Sequence, residues 1–312
     1  MNTMKRVSVV IPVYNEVQNI EPLYRKLQEL ARTTPSVSEF LFVDDGSTDG
    51  TWQALVSLRE RDAHARAIRL RRNFGQTAAM ACGIDHARGE VIVTMDGDLQ
   101  NDPSDIPRLV AKLDEGFDVV SGWRYRRQDR LWTRRIPSTV ANRLIGLLTG
   151  VKVHDYGCSL KAYRAEVIRQ TPLYAELHRF IPALSTMTGA LIGELKVAHH
   201  ARTFGQTKYN LWRTWKVALD MVTVSVLLKF ALRPLRFFGF VALGVLVPAG
   251  IALARAWQGF VVPSSPGPVV LAGAACLGLW LAGHLLIVGC VAELCRATAH
   301  ADPQRSLVPE GA

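Results

Sequence analysis

The chain has 312 residues, 49% of them hydrophobic, and a formal net charge of +10. That length suffices for one large α/β domain or two smaller ones. The basic balance fits nucleic acid, an anionic membrane surface or phosphorylated substrates, but no nucleic-acid-binding module is recognisable, which leaves the last two. The five cysteines lack metal-ligand spacing and predict reduced packing residues of a cytosol-facing protein. The first residues show no apolar signal-peptide region.

Strands and helices alternate along the first part of the chain. Apolar runs predict strands at 7–13, 40–43, 65–70, 91–95 and 117–121. Helical spacing of apolar residues predicts intervening helices, one starting near residue 20, one through Trp52, Leu55 and Leu58, one at 77–87 and one near 103–115. Ser47 or Thr48 is expected to cap the second of these. The alternation predicts an α/β domain with a mostly parallel sheet covered on both faces.

Polar side chains follow the strand at 91–95, namely Asp96, Asp98, Gln100, Asn101 and Asp102. In open α/β sheets, ligands bind beyond the carboxyl ends of the strands. Carboxylates crowded there repel one another unless a cation shares the site, and oxygen ligands suit Mg²⁺ or Mn²⁺ bridged to a substrate phosphate. Both glycine-rich phosphate-binding motifs, Gly-x-Gly-x-x-Gly and Gly-x-x-x-x-Gly-Lys-Ser/Thr, are absent. A nucleotide, if one binds, would therefore be held by carboxylates and a metal rather than by a glycine cradle.

A basic segment follows the fifth predicted strand. Residues 124–135 hold six arginines interleaved with Tyr125, Leu131 and Trp132. One interpretation is a solvated basic face. The other is a platform for a phosphate or for a plane of anionic headgroups, with arginine forked onto phosphate and the aromatic rings at the interface.

From residue 211 the composition changes. An apolar stripe broken by charges at 211–236 suits helices that lie in a membrane interface. Residues 237–254 are uncharged, 267–292 contain no Asp, Glu, Lys or Arg, and each run is long enough to span a bilayer. A signal peptide or a buried core hairpin is the alternative, and two such runs in tandem disfavour it. Basic residues flank the pair (Lys229, Arg233, Arg236, Arg296) against Arg255 between them, which predicts that both termini are cytoplasmic.

Several motifs together resemble glycosyltransferase family 2. They are Val-Ile-Pro-Val-Tyr-Asn-Glu (10–16), Val-Asp-Asp-Gly-Ser-Thr-Asp (43–49), Arg-Asn-Phe-Gly (72–75), Asp-Gly-Asp-Leu-Gln (96–100), Asp-Tyr-Gly-Cys-Ser-Leu-Lys-Ala-Tyr (155–163) and Lys-Tyr-Asn (208–210). Within the family they resemble the polyprenyl-phosphate branch: dolichol-phosphate mannose synthases, bactoprenol glucosyltransferases and undecaprenyl-phosphate aminoarabinose transferases. The resemblance covers about residues 7–210, and the two-span tail resembles that of the bacterial members.

The resemblance implies an α/β fold of the GT-A type, Rossmann-like, at residues 1–210. Interfacial helices at 211–236, transmembrane helices at about 237–256 and 267–292, and a cytoplasmic tail at 293–312 would follow. It also implies a hexosyltransferase of the inner membrane, with the catalytic domain on the cytoplasmic face. The reaction would move a single sugar, with inversion, from a nucleotide sugar to polyprenyl phosphate, supplying lipid-linked donors for cell-envelope glycans.

The same resemblance implies a role for individual residues. The donor nucleotide would be bound by Pro12, Tyr14, Glu16, Asp45 and Asp96. Mg²⁺ or Mn²⁺ would be bound by Asp96, Asp98 and Gln100. The acceptor phosphate would be received by Arg124, Arg202 and Lys208. The residues expected to carry the catalysis are Asp98, Asp155, Arg124 and Lys208.

Asp155 lies where some members place a proposed catalytic base. A phosphate monoester has a second pKa near ~6, so at neutral pH most of it is already a nucleophilic dianion. Asp155 is therefore either a base or a carboxylate that orients the sugar or the structure, with Lys161 or Arg164 as its ion-pair partner.

Two other functions are considered. A processive polysaccharide synthase would carry Gln-x-x-Arg-Trp, which 128–132 does not match. A non-catalytic membrane scaffold would leave the strand-end carboxylates free to vary, yet the acidic set is intact. The sequence does not identify the sugar. The bacterial-type architecture suggests, by analogy, UDP rather than GDP and undecaprenyl phosphate as the lipid, and the bacterial relatives point towards a tetramer.

Overall fold

The computed structural model describes residues 5–125, 146, 150–151, 153–173, 177–201, 234–261 and 267–300. The chain forms two compact units, Met1–Val224 and Ser225–Ala312. The domain boundary predicted at residue 210 lies in the segment 202–233, outside the described residues, and the boundary predicted at residue 236 lies just after that segment. Both stay predictions.

Among the described residues of the first unit, seven strands form one sheet in the order β3-β2-β1-β4-β6-β5-β7. The strands are β1 Val7–Val13, β2 Val37–Asp44, β3 Ala65–Arg69, β4 Val91–Thr94, β5 Val119–Arg124, β6 Lys161–Arg164 and β7 Ile192–Val197. The helices are α1 Val17–Thr33, α2 Thr51–Arg61, α3 Gln76–His86, α4 Ile106–Asp114, α5 Ala165–Gln170 and α6 Ile181–Ser185. Neighbouring strands are parallel except at β6, which runs antiparallel to β4 and β5. The predicted mostly parallel sheet is confirmed.

Both faces of the sheet are covered, as the continuous apolar strands predict. Val9 and Ile11 of β1 belong to the larger core cluster with Leu23 and Leu27 of α1. Val10, between them in sequence, belongs to a second cluster on the other face. The alternation follows from the two-residue period of a strand, and β1 is buried on both faces of the sheet.

The cap expected for α2 is wrong. Gly50 is the N-cap residue, in a left-handed conformation with φ 94°, and the Asp49 Oδ1 accepts the Thr51 backbone N–H at 3.0 Å. The Ser47 hydroxyl instead accepts the backbone N–H of Asn15 at 2.9 Å. A tertiary bond between the loops after β1 and β2 thus takes the side chain that the local pattern assigned to the helix.

The second unit is a hairpin of α7 Pro234–Val261 and α8 Pro268–His300. Both helices are long and apolar enough to cross a membrane, and both extend beyond the predicted spans. Small residues line their contact: a Cβ built on Gly278 would lie 2.7 Å from the Cβ of Ala249. Large apolar side chains remain exposed in this unit, with Phe240 at 74% and Trp257 at 71%. That exposure is unlike the core hairpin of a soluble protein.

Candidate functional site

Those site residues predicted from sequence that the structure describes lie at one edge of the sheet. The parallel strands β1, β2, β4 and β5 all end there, and antiparallel β6 begins there. Of the predicted residues, Asp45 follows β2, Asp96 and Asp98 follow β4, Arg124 ends β5, and Asp155 lies in the segment before β6. Topology alone therefore brings residues from four segments of the chain together.

Asp96 and Asp98 are held in different ways. Asp96 is half-buried, and its Oδ1 accepts the side-chain amide of Gln76 at 2.6 Å. Asp98 is 8% exposed, and its Oδ1 accepts the backbone N–H of Gln100 at 3.2 Å. Gly97 between them needs to be glycine, because a Cβ there would lie 2.6 Å from the Val13 side chain. The loop can therefore lie directly against the end of β1.

The donor set fits a hard divalent cation that is only partly bound by protein. No three His, Cys, Asp or Glu side chains among the described residues lie close enough to form a complete cage. Mg²⁺ is usually bound through one or two carboxylates, and water and substrate phosphates complete its coordination. Asp96 and Asp98 supply two carboxylates for such an ion, and Gln100 follows on the same loop.

Asp45 joins the β2 end of the site to the loop before α3. Its two carboxylate oxygens accept the backbone N–H groups of Phe74 and Gly75 at 2.8 and 2.9 Å. Burial raises the pKa of Asp45, and those two hydrogen bonds oppose the rise. Gly75 has φ 97°, and the next residue, Gln76, reaches Asp96. Asp45 thus helps to place the loop 96–102, and its pairing with a base stays a prediction.

Pro12, Tyr14 and Glu16 lie at the end of β1 and beyond it. Pro12 is buried and Tyr14 half-buried. The backbone N–H of Glu16 donates to the Thr51 hydroxyl at 3.0 Å, and its carboxylate accepts the Asn19 side-chain amide. These bonds fix the loop beside Asp45, and its nucleoside-binding role stays a prediction.

Arg124 and Asp155 form a two-pronged ion pair. Arg124 Nε lies 2.7 Å from Asp155 Oδ2, and Nη2 lies 2.9 Å from Oδ1. The expectation that Lys161 or Arg164 pairs with Asp155 is wrong: Arg164 lies 3.2 Å from Asp118, and the Lys161 ammonium donates to backbone carbonyls. Burial would lower the pKa of Arg124, but the hydrogen bonds and charge of Asp155 raise it. The charge of Asp96 also raises the pKa of Arg124, so the Arg124 guanidinium interacts electrostatically with the loop 96–102.

An aromatic and basic cluster flanks this pair. The Trp123 ring stacks on His154 with centroids 4.2 Å apart and meets Tyr125 edge-on at 5.2 Å. The Lys196 ammonium lies 4.1 Å from the Tyr125 centroid. The rest of the predicted basic platform, residues 126–135, lies outside the described residues.

His199 and His200 lie beside the loop 96–102. The His200 backbone N–H donates to the Gln100 carbonyl at 2.9 Å, and its ring lies 3.0 Å from Asp102. His199 pairs with Asn101 in an isolated antiparallel bridge. Arg202 and Lys208 themselves lie outside the described residues, so their acceptor role stays a prediction.

Sequence reasoning missed the contact of Gln76 with Asp96 and the contacts of Ser159. The Ser159 carbonyl accepts the Thr94 hydroxyl at 2.8 Å, and its own hydroxyl accepts the Asn101 amide at 2.8 Å. Each contact joins residues far apart in sequence, so no local spacing could reveal it.

The chain is similar to known proteins in sequence and in fold. The family model described as Glycosyl transferase family 2 matches residues 8–171. Dodecaprenyl-phosphate galacturonate synthase of Rhizobium johnstonii is 44% identical over 306 residues, 95% of this chain and 89% of that protein. Undecaprenyl-phosphate 4-deoxy-4-formamido-L-arabinose transferase of Salmonella choleraesuis is 43% identical over 221 residues, 70% of this chain and 67% of that protein.

One similar solved structure is glucosyl-3-phosphoglycerate synthase of Mycobacterium tuberculosis, in complex with Mn²⁺, UDP and glucosyl-3-phosphoglycerate. Its TM-score is 0.57 at 21% identity, covering 71% of this chain and 79% of that one. At that identity the likeness concerns the fold alone.

Proposed function

This chain belongs to glycosyltransferase family 2 and is a glycosyltransferase, and we propose that it transfers one sugar from a nucleotide sugar to a polyprenyl phosphate. Two similar proteins are named for polyprenyl-phosphate acceptors, and one of them matches 95% of this chain. The observation that carries the proposal is the pair Asp96 and Asp98 at the same sheet edge as Arg124. A UDP-linked donor is our expectation from the resemblance to the bacterial polyprenyl-phosphate transferases, by analogy.

The membrane part of the proposal is supported by α7 and α8, which are long and apolar enough to span a bilayer. A lipid-linked acceptor needs an enzyme at the membrane surface. We place the catalytic unit on the cytoplasmic face of the inner membrane, with two spans, from the distribution of basic residues around them. Assembly as a tetramer remains a prediction from the resemblance.

The chemistry asks for charge neutralisation more than for proton transfer. The acceptor phosphate, with a second pKa near ~6, is already nucleophilic at neutral pH. Arg124 would receive that phosphate and lower its repulsion from the anionic donor. Asp96, Asp98 and Gln100 would hold Mg²⁺ or Mn²⁺, which would neutralise the departing diphosphate.

A screen of the full-length protein with undecaprenyl phosphate and a panel of UDP- and GDP-sugars tests the proposal. We expect a lipid-linked product with one donor, its loss in EDTA, and recovery with Mg²⁺ or Mn²⁺. Asp98→Ala should abolish the product. The matched control is Asp114→Ala, since that carboxylate is 55% exposed and pairs only with Lys5 among the described side chains. Absence of product with every donor would contradict the proposal.

A further inference from the structure

Lys161 is a buried cation in the catalytic unit. It is the first residue of β6, only 2% exposed, and lies between Thr94 of β4 and Ser121 of β5 in the sheet register. Its ammonium donates to the backbone carbonyl of Tyr156, at 3.4 Å, and to that of Cys158. Both acceptors lie in the loop that joins Asp155 to β6.

That loop is fixed at several points besides Lys161. The backbone N–H of Gly157 donates to Asp155 Oδ1 at 3.1 Å, and the Tyr156 hydroxyl donates to the Val151 carbonyl at 2.8 Å. The Asp155 backbone N–H lies 3.4 Å from a Glu194 carboxylate oxygen. Two contacts reach the loop from strands of the sheet: the Thr94 hydroxyl of β4 donates to the Ser159 carbonyl at 2.8 Å, and the Lys161 ammonium of β6 donates to the carbonyls of Tyr156 and Cys158.

The loop in turn fixes the direction of Arg124. A guanidinium carries five N–H donors. Asp155 engages two of its nitrogens, Nε and Nη2, along one edge. A carboxylate so placed leaves the other edge of the planar group for a second anion, and a phosphate can take two of its donors at once.

Lys161 lies among groups that act on its charge in both directions. Burial lowers the pKa of Lys161 and the charge of Arg124 acts the same way, while Cys158, Asp155 and Asp96 act in the opposite direction. A buried ammonium bonded to carbonyls costs desolvation energy, so its presence calls for a reason beyond packing.

We propose that Lys161 is a positioning residue for the acceptor: by holding the carbonyls of Tyr156 and Cys158 it fixes Asp155, and through Asp155 it aims Arg124 before the phosphate arrives. This inference rests on the proposed function, because it takes the anion at Arg124 to be the acceptor phosphate. Ordering the site in advance raises affinity because less freedom is lost on binding. Asp155 is then a positioning residue as well.

Lys161→Met tests the proposal, because methionine keeps most of the side-chain volume and removes the charge and the donors. We expect the KM for polyprenyl phosphate to rise between about tenfold and a hundredfold, as misplacement of a binding group can do. The affinity for UDP with Mn²⁺, measured by calorimetry, should stay unchanged. Lys112→Met is the matched control, since Lys112 lies on α4 and pairs with Glu115 at the surface.

A second, milder variant guards against loss of the fold. Lys161→Gln keeps a donor for a carbonyl, so its KM for the acceptor should lie between those of wild type and Lys161→Met. Asp155→Asn should raise the same KM. The double variant Asp155→Asn with Lys161→Met should have a KM no higher than that of the more impaired single variant, because the two residues act in series.

Two outcomes would overturn the inference. One is an unchanged acceptor KM in Lys161→Met. The other is a loss of UDP affinity as large as that of acceptor affinity, together with a lower melting temperature, which would indicate a general packing role. Failure of the proposed function is a separate result, namely that wild type forms no lipid-linked product.

Discussion

Gln76 lies outside the acidic motif, and its contact with Asp96 gives a prediction about the proposed metal site. Its amide donates to Asp96 and so orients that carboxylate. Groups that orient metal ligands typically contribute about tenfold to a hundredfold in metal affinity or activity.

We therefore expect Gln76→Ala to raise the Mn²⁺ concentration needed for half-maximal activity by about tenfold. Mn²⁺ titration of the transfer rate is the measurement. Gln53→Ala, at an exposed position of α2, is the matched control. Identical titration curves for the two variants would show that Asp96 needs no orienting partner.

Asp155 gives a prediction about pH. If no base is required, activity should fall as pH drops through the second pKa of the acceptor phosphate, near ~6, because the monoanion is the weaker nucleophile. Asp155→Asn should lower activity at every pH yet keep that acidic limb. The measurement is kcat/KM for the acceptor between about pH 5 and about pH 8, a range that brackets the phosphate pKa. An acidic limb that disappears in the variant would identify Asp155 as the base.

Glu39 belongs to stability instead. It is 4% exposed at the opposite end of β2, and its carboxylate accepts the Ser8 hydroxyl, the Arg88 backbone N–H and Arg66 Nη1 at 2.5, 2.6 and 2.5 Å. Burial alone would raise the pKa of Glu39, but these hydrogen bonds outweigh it and lower the pKa below 4.5.

A depressed pKa contributes stability that is present above the unfolded value and lost as pH falls through the folded one. The melting temperature should therefore drop on acidification below the ordinary glutamate pKa of 4.5. Glu39→Gln should melt lower than wild type at neutral pH, with a smaller gap in acid. Thermal scans at several pH values measure this, and parallel curves for the two proteins would contradict it.

The elements around the site depend on loops that only glycine permits. Gly46, in the loop after β2, has φ 73°, and a Cβ there would lie 2.6 Å from the Arg72 backbone. Gly116, after α4, has φ 103° with no atom within 4 Å of its Cβ position. The two positions share the left-handed strain and differ in the clash.

Gly46→Ala should thus destabilise the protein more than Gly116→Ala. Left-handed backbone costs about 1 kcal/mol or more in either variant, and the clash adds to the loss only at Gly46. Denaturant titration of both variants gives the comparison. Equal losses would mean that the 72–75 loop moves away freely, and the site geometry built on it would need revision.

The whole molecule combines a site for two phosphate compounds with a helical hairpin suited to a membrane. The basic residues that flank α7 and α8 predict that both chain termini lie on one side of the bilayer and residues 262–266 on the other.

Ser264→Cys should react with an impermeant maleimide in intact spheroplasts, and Ser306→Cys only after lysis. The unmodified chain, with its five cysteines, is the background control. Labelling of both variants, or of neither, before lysis would exclude a two-span topology.

The sequence by itself determined the α/β class, the strand-end carboxylates, the two apolar spans and the family. These features follow from local periodicity and from short motifs, which can be recognised in a sequence without knowledge of its tertiary contacts. The mostly parallel sheet and the approximate strand positions followed from the same signal.

Only the tertiary structure decided which side chains meet. The antiparallel insertion of β6 places Asp155 and Lys161 beside Arg124, and no local pattern indicates that a four-residue strand will pair between β4 and β5. The Ser47 hydroxyl accepts the backbone N–H of Asn15 instead of capping the helix. Asp155 pairs with Arg124 instead of Lys161 or Arg164, which are nearer to it in sequence. The physical reason is that partners in a folded protein are selected by strand register and burial, which act between residues distant in sequence.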